Sequence, residues 1–193
     1  MAIMVTGGAR SGKSVFAEQY AQRTGSSGIY IATCQSYDEE MSARIGMHRA
    51  SRLASGYSWE TIEEPFAAAE LLNRLAERLR HDRANETVVL LDCLTLWLTN
   101  WLLRLDQDAD AEARLSEETA KLLQAVASFP FPLIVVTNEV GDGIVPAYPL
   151  GRQFRDEAGR LNQRLASVCE RVFLVTAGIP VELKSIAFTW DQL

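Results

Sequence analysis

Short runs of apolar residues recur along the chain, and segments with helical periodicity separate them. Five uninterrupted apolar runs predict buried strands, at residues 2–6, 28–33, 87–91, 133–137 and 172–175. Strands that are apolar throughout, rather than alternately apolar and polar, are typical of a parallel sheet covered on both faces. The pattern therefore predicts an α/β fold, in one doubly wound domain that spans residues 1–193.

The segments between these runs predict the helices. Helical periodicity covers residues 13–23, 38–53, 65–80 and 152–170, and it flanks the polar stretch 106–110. Pro65 suits the first position of its helix, and three acids at residues 38–40 suit the positive end of the helix dipole. Weaker patterns predict a short strand at 57–62 and an edge strand at 181–188.

Composition narrows the classes of function. The net charge of −6 argues against sequence-independent nucleic-acid binding, which needs excess basic surface. No apolar run is long enough to span a bilayer, and the N-terminus MAIMVTGG lacks the features of a signal peptide. The three cysteines are odd in number and form no CxxC pair, so we expect a reducing cytosol and no zinc site.

A glycine-rich loop follows the first predicted strand. It consists of Gly7, Gly8, Ala9, Arg10, Ser11, Gly12, Lys13 and Ser14 and matches G-x-x-x-x-G-K-[ST] at every fixed position. In such a loop the backbone N–H groups surround a phosphate, Lys13 reaches the β- and γ-phosphates, and the Ser14 hydroxyl binds Mg²⁺. We therefore predict a P-loop NTPase domain of the RecA-like kind that uses a nucleoside triphosphate with Mg²⁺.

A phosphate loop usually has an acidic partner at the end of a neighbouring strand. Asp92 follows four apolar residues in VVLLDC, so we predict that it binds Mg²⁺ directly or through water. An N-cap of the following helix is the alternative role, and the two can coexist. The guanine-reading motif NKxD does not occur, which disfavours a regulatory GTPase.

One of the two histidines lies among arginines. Arg44, His48 and Arg52 are four residues apart and share one stripe of their predicted helix. Neighbouring guanidinium groups disfavour a charged imidazole; a neutral imidazole is a nucleophile, and arginines hold phosphates. The alternative is a solvated basic surface, which spacing alone favours. His81 is predicted to be a helix C-terminal residue without a catalytic role.

Several motifs together resemble one family. The chain resembles the bifunctional adenosylcobinamide kinase/adenosylcobinamide-phosphate guanylyltransferases of cobalamin biosynthesis. The motifs that carry the resemblance are VTGGARSGKS, IAT after the second strand, DEEMSARI with a histidine three residues later, VTNEVGDGIVP and FRDEAGRLNQRLA. The resemblance implies that ATP or GTP phosphorylates the aminopropanol arm of adenosylcobinamide. It also implies that GTP then guanylylates a histidine, from which GMP passes to adenosylcobinamide phosphate to give adenosylcobinamide-GDP.

The resemblance also implies site residues and an assembly. The guanylylated histidine falls on His48, and Lys13 serves phosphoryl transfer. Besides the phosphate loop, the nucleotide contacts fall on Ala32, Thr33, Cys34, Arg49, Ala50, Ser51, Arg52, Glu63 and Asp92. For Glu63, an acid placed just before a helix is the alternative. The resemblance further implies a homotrimer.

The segment VTNEVGDGIVP has a physical interpretation of its own. Asn138 and Glu139 follow a buried strand, at the sheet edge where α/β proteins bind ligands. Gly141 and Gly143 permit a tight or mobile loop that closes over the acceptor, and a surface turn is the alternative. Downstream residues suit either the site or a subunit contact: Arg155, Asp156, Arg160 and Asn162.

Two other functions are compatible with the phosphate loop. The first is a one-step small-molecule kinase in which His48 only binds phosphate. The second is a nucleotide-dependent switch or assembly ATPase without a small-molecule acceptor. Covalent labelling of the protein by GTP separates all three hypotheses, because only the bifunctional enzyme forms a nucleotidyl-histidine.

Overall fold

The computed structural model describes residues 1–35, 46, 50, 52–82 and 86–189. Most of the helix predicted at 38–53 therefore lies outside the described residues, and His48 lies outside them too. Within the described part, Gly46, Ala50 and residues 52–54 are helical, as the periodicity predicts.

Seven strands form one sheet. They are β1 (Ala2–Thr6), β2 (Ser27–Ala32), β3 (Ser58–Glu63), β4 (Thr87–Asp92), β5 (Leu133–Val136), β6 (Arg171–Thr176) and β7 (Ile179–Glu182). Their order across the sheet is β3-β2-β4-β5-β1-β6-β7. All neighbouring pairs among the first six strands are parallel, and β7 pairs with β6 in the antiparallel sense. The prediction of a mostly parallel sheet is confirmed.

Helices cover both faces of this sheet. They are α1 (Lys13–Thr24), α2 (Ala68–His81), α3 (Leu94–Leu105), α4 (Ala111–Ser128) and α5 (Pro149–Val168). Side chains of β1 show the two faces: Met4 packs in the cluster with α2 to α5, whereas Ile3 and Val5 pack in the cluster with α1. Because both faces are buried, the strands are apolar throughout, and the predicted α/β class is confirmed. No helix in this part of the chain is long and apolar enough to cross a membrane.

Pro65 does not occupy the first position of a helix, so that prediction is wrong. The helix begins at Ala68 instead. The carboxylate of Glu64 accepts hydrogen bonds from the backbone N–H groups of Phe66 and Ala67, at 3.1 and 2.8 Å. This local turn satisfies the donors that an earlier helix start would leave without partners.

The edge strand predicted at 181–188 begins earlier and ends sooner, since β7 covers Ile179–Glu182. The Glu182 carboxylate accepts hydrogen bonds from the N–H groups of Lys184 and Ser185, at 3.2 and 2.7 Å. These bonds turn the chain into a short 3-10 helix at Lys184–Ile186, which ends the strand.

The register of the strands places several chain segments at one edge of the sheet. Ala32 lies beside Glu63 on one side and Asp92 on the other. Asp92 in turn lies beside Val136, which pairs with Val5 just before the phosphate loop. The carboxyl ends of β1 to β5 therefore converge, which is the edge where α/β proteins bind ligands.

Candidate functional site

The phosphate loop connects β1 to α1 and packs against the turn between β6 and β7. Gly12 has a φ of +92°, a left-handed conformation that favours glycine. A Cβ atom at this position would lie 3.2 Å from the Cα of Gly178. The N–H of Gly178 also donates a 2.8 Å hydrogen bond to the carbonyl of Ser11. The backbone of Gly178, which lies outside the phosphate-loop motif, therefore supports the loop.

The Lys13 side chain lies over this loop. Lys13 is only 6% exposed, and its ammonium group donates a 3.1 Å hydrogen bond to the carbonyl of Gly8. A charged acceptor makes a stronger hydrogen bond than a carbonyl does, so a phosphate oxygen bound in the loop would compete with the Gly8 carbonyl for this ammonium group. The buried hydroxyls of Thr6 and Ser11 have no hydrogen-bond partner in the described part of the chain. Buried hydroxyls normally have one, so the loop has capacity for a polar ligand.

Asp92 ends β4, but this strand is not a neighbour of the strand that leads into the phosphate loop. The prediction of a neighbouring strand is wrong because β5 lies between β1 and β4. The N-cap alternative is also wrong, since α3 begins at Leu94 and its N-cap residue is Cys93. The Asp92 carboxylate instead accepts a 2.9 Å hydrogen bond from the hydroxyl of Tyr30 at Oδ2.

Thr33 joins the ends of β2 and β4. Its hydroxyl donates to the carbonyl of Cys93 at 2.7 Å and accepts from the N–H of Cys93 at 2.9 Å. The side-chain amide of Asn100 donates to the carbonyls of Thr33 and Pro65, at 2.8 and 2.9 Å. Thr33 is fully buried, so its hydroxyl supports the backbone at this edge. Cys34, the next residue, is half-buried.

Arg52 is buried on the face of the sheet that α1 covers. It is 5% exposed, and its Cζ lies 3.7 Å from the centroid of the Tyr30 ring. One guanidinium nitrogen lies 3.5 Å from a carboxylate oxygen of Glu18 on α1. Burial raises the pKa of Glu18, although the nearby Arg52 opposes this effect. Burial, together with the nearby charge of Asp92, raises the pKa of Tyr30 well above its ordinary value.

The segment after β5 lies between the phosphate loop and Asp92. The N–H of Glu139 donates to the carbonyl of Gly7 at 3.1 Å, which ties this segment to the loop. The Asn138 amide donates to the hydroxyl of Thr95 on α3. The side-chain amide of Asn162 on α5 donates to the carbonyl of Asn138 at 3.0 Å, so it holds this segment against α5. The interpretation of Asn138 and Glu139 as residues of the ligand-binding edge agrees with this placement.

The residues around Gly141 close this segment on itself. The carboxylate of Glu139 accepts a 2.7 Å hydrogen bond from the N–H of Gly141, and Arg155 donates to the carbonyl of Gly141. Asp156 and Arg160 are exposed on α5, where Arg160 pairs with a glutamate one turn earlier. Of the four downstream residues, Asn162 and Arg155 therefore contact the segment, whereas Asp156 and Arg160 face solvent.

The structure brings many of the predicted residues to one edge. Gly7 to Ser14, Ala32, Thr33, Cys34, Glu63 and Asp92 lie at the carboxyl ends of the strands. Ala50 is helical and exposed, whereas His48, Arg49 and Ser51 lie outside the described residues. Tyr30 and Glu18 were not predicted. Tyr30 is an aromatic residue in the otherwise aliphatic run GIYIA. Its phenol hydroxyl, a polar group in a strand predicted to be buried, was the one feature of the sequence that could have indicated a role for it.

Two oxygen donors at this edge of the sheet are of the kind that Mg²⁺ prefers. Among the described residues, no group of three or more His, Cys, Asp or Glu side chains is placed to hold a metal ion. Mg²⁺ in nucleotide sites needs only one or two protein oxygens, because water and phosphate oxygens complete its coordination. The Ser14 hydroxyl, at the start of α1, and the Asp92 carboxylate are oxygen donors of that kind.

Comparison with solved structures concerns the fold alone. A solved structure described as an ATPase domain is similar with a TM-score of 0.50 at 10% sequence identity. The similar region covers 90% of this chain and 68% of that one. This likeness agrees with the P-loop NTPase fold that the loop and the strand order indicate.

Comparison with sequences identifies the family. The bifunctional adenosylcobalamin biosynthesis protein CobP of Pseudomonas aeruginosa is 46% identical over 181 residues, covering 94% of this chain and 96% of the relative. The proteins named CobU of Escherichia coli and Salmonella typhimurium are 42% and 41% identical over 192 residues, covering 95% of this chain and 100% of each relative. A family model described as cobinamide kinase / cobinamide phosphate guanyltransferase matches residues 3–183. The chain therefore belongs to the cobinamide kinase / cobinamide phosphate guanyltransferase family.

Proposed function

We propose that this chain performs both reactions that its family description names. It phosphorylates adenosylcobinamide with a nucleoside triphosphate, and it then transfers GMP from GTP to adenosylcobinamide phosphate in cobalamin biosynthesis. The observation that carries the proposal is the intact phosphate loop, with Lys13 held over it and Asp92 at the same edge of the sheet. Membership of the family supplies the substrates.

The kinase half relies on the phosphate loop. Lys13 and the N-terminal end of α1 stabilise the negative charge that spreads over the transferred phosphoryl group. Ser14 and Asp92 are the residues proposed to hold Mg²⁺, which neutralises charge between the β- and γ-phosphates when it is bound. The acceptor hydroxyl attacks the γ-phosphorus, and the bond to the β-phosphate oxygen breaks.

The guanylyl half uses His48 as the nucleophile. A ring nitrogen of His48 attacks the α-phosphorus of GTP, so that a P–N bond forms and pyrophosphate leaves. An oxygen of adenosylcobinamide phosphate then attacks the same phosphorus, and the P–N bond breaks to return the histidine. Two easier displacements replace one difficult displacement, which is the benefit of covalent catalysis. Arg49 to Arg52, Glu63 and Ala32 to Cys34 are the proposed nucleotide contacts.

Labelling with GTP that carries the label in its α-phosphate tests the covalent step. Wild-type protein with GTP and Mg²⁺, without acceptor, should acquire label that is acid-labile and base-stable. His48→Ala should acquire none, whereas His81→Ala should label as wild type does, because His81 is exposed at the end of α2. Label that persists in His48→Ala would show that the nucleophile is another residue. A wild-type protein that never labels would favour the one-step kinase.

A second variant tests the kinase half. Lys13→Ala should lower the rate of adenosylcobinamide phosphorylation by about 100-fold or more, as expected when a donor to transition-state charge is removed. Arg23→Ala is the matched control, because the Arg23 side chain is exposed in the last turn of the same helix. Full phosphorylation activity in Lys13→Ala would refute the assignment. A cytoplasmic location and a homotrimeric assembly are further proposals, which fractionation and light scattering can test.

A further inference from the structure

Tyr30 is a buried polar side chain that directly contacts a proposed metal ligand. It is 6% exposed and lies in the hydrophobic cluster on the α1 face of the sheet. Its backbone pairs with Leu90 in the register of β2 and β4, so Asp92 is its diagonal neighbour toward the ligand-binding edge. This placement brings the Tyr30 hydroxyl to 2.9 Å from Oδ2 of Asp92.

The hydrogen bond fixes how the Asp92 carboxylate points. Oδ2 accepts the Tyr30 hydroxyl, whereas Oδ1 accepts no hydrogen bond from any other described residue. A hydroxyl that donates to an ionised carboxylate makes one of the stronger hydrogen bonds in proteins, so it restrains the rotation of the acid.

The face of the same ring holds Arg52. The guanidinium carbon lies 3.7 Å from the ring centroid, and Glu18 provides the counter-charge at 3.5 Å. Cation–π contacts are strongest when the cation is desolvated, as Arg52 is at 5% exposure. Contacts with Tyr30 on β2 and Glu18 on α1 therefore fix the position of the Arg52 side chain.

Arg52 also lies in the last helical turn before Gly56. The carbonyl of Arg52 accepts hydrogen bonds from the N–H and the hydroxyl of Ser55, at 3.2 and 2.6 Å. Gly56 follows with a φ of +70°, which is typical of a residue just beyond a helix. The Tyr30 ring thus contacts the last helical turn before Gly56, at residues 52–54.

We infer that Tyr30 is a positioning residue for both half-reactions. Its hydroxyl aims Oδ1 of Asp92 at the metal ion, and its ring fixes the position of Arg52, which is one of the proposed nucleotide contacts. This inference rests on the proposed function, and it assigns Tyr30 no contact with the substrate. The two roles belong to different atoms of one side chain, so substitutions can separate them.

Tyr30→Phe tests the hydroxyl, because it keeps the ring. The measurement is the affinity for a non-hydrolysable GTP analogue, first with saturating Mg²⁺ and then with EDTA. We expect the gain in affinity that Mg²⁺ provides to fall about three- to tenfold, which is the size of one net hydrogen bond. Affinity in EDTA should stay within about twofold of wild type. Tyr57→Phe is the control, because its hydroxyl donates to Ala21 at 3.4 Å, away from Asp92.

Arg52→Lys and Tyr30→Leu test the ring. Arg52→Lys keeps the charge beside Glu18 but loses the planar stacking, so the rate of GMP labelling at saturating Mg²⁺ should fall about tenfold. The gain in affinity from Mg²⁺ should stay near the wild-type value in this variant. Tyr30→Leu removes both groups and should show both losses. Circular dichroism and thermal melts check that each variant folds.

The outcomes separate the inference from the proposed function. An unchanged Mg²⁺ gain in Tyr30→Phe would overturn the role of the hydroxyl. Wild-type labelling in a folded Arg52→Lys would overturn the role of the ring. If the wild-type protein never labels, the proposed guanylyl transfer is wrong, whereas the Mg²⁺-dependent binding of the analogue still tests the contact between Tyr30 and Asp92.

Discussion

Replacing Asn100 by alanine should destabilise the protein strongly, although this residue belongs to no recognised motif. Asn100 lies on α3 with 1% of its surface exposed. Its side-chain amide donates to the carbonyl of Thr33 at 2.8 Å and to that of Pro65 at 2.9 Å. One side chain therefore holds the end of β2 and the turn before α2 against the third helix.

The size of the effect follows from those two bonds. Asn100→Ala leaves two carbonyls without this donor, and an unsatisfied buried group costs about 1–3 kcal/mol. Allowing for partial compensation by water, the free energy of unfolding should fall by roughly 2–4 kcal/mol. For a chain of this size, that corresponds to a drop in Tm of about 4–16 °C. Asn100→Asp should cost at least as much, because a carboxylate oxygen would then face the carbonyls.

Urea unfolding, followed by tryptophan fluorescence, measures this change. Gln107→Ala is the matched control, because it also removes a donating amide, at 2.9 Å from Asp106, but at an exposed position. The free energy of unfolding of Gln107→Ala should lie within about 0.5 kcal/mol of the wild-type value. If Asn100→Ala also lay within that range, the two hydrogen bonds would contribute no net stability, and the reasoning from burial would be wrong.

Three further predictions concern the loop, the pH dependence and the cysteines. Gly12→Ala should lower the free energy of unfolding by about 1–2 kcal/mol because φ is +92°, whereas Gly8→Ala, where a Cβ meets open space, should not; urea titrations of both variants compare them. Burial raises the pKa of Glu18 above 4.5, so the stability that this group contributes is present at low pH and is lost as the pH rises through the raised value. The free energy of unfolding of Glu18→Gln should therefore increase relative to that of wild type as the pH rises through this range. Urea titrations at a series of pH values measure the difference, and a difference that does not change with pH would contradict the assignment. Burial raises the pKa of Cys93 to about 11, so iodoacetamide at pH 8 should modify Cys34 first, as mass spectrometry of peptides can show.

Several features could be predicted because they depend on residues close together in the sequence. A strand, a glycine-rich turn and a helix that opens with Lys13 follow one another within residues 2–24. Continuous apolar runs indicate burial on both faces, whatever the order of the strands. Element boundaries were less predictable where a side chain bonds the backbone locally, as the carboxylates of Glu64 and Glu182 do.

The sequence by itself determined the α/β class, the phosphate loop and the motifs that resemble the family. Only the tertiary structure decided that β5 separates the loop from Asp92, that Tyr30 bonds that acid, and that Arg52 is buried over the Tyr30 ring. Tyr30 and Asp92 are 62 positions apart. Their contact depends on which strands become neighbours. That choice is made by the packing of the whole sheet and its helices, and it leaves no periodic signal in either segment.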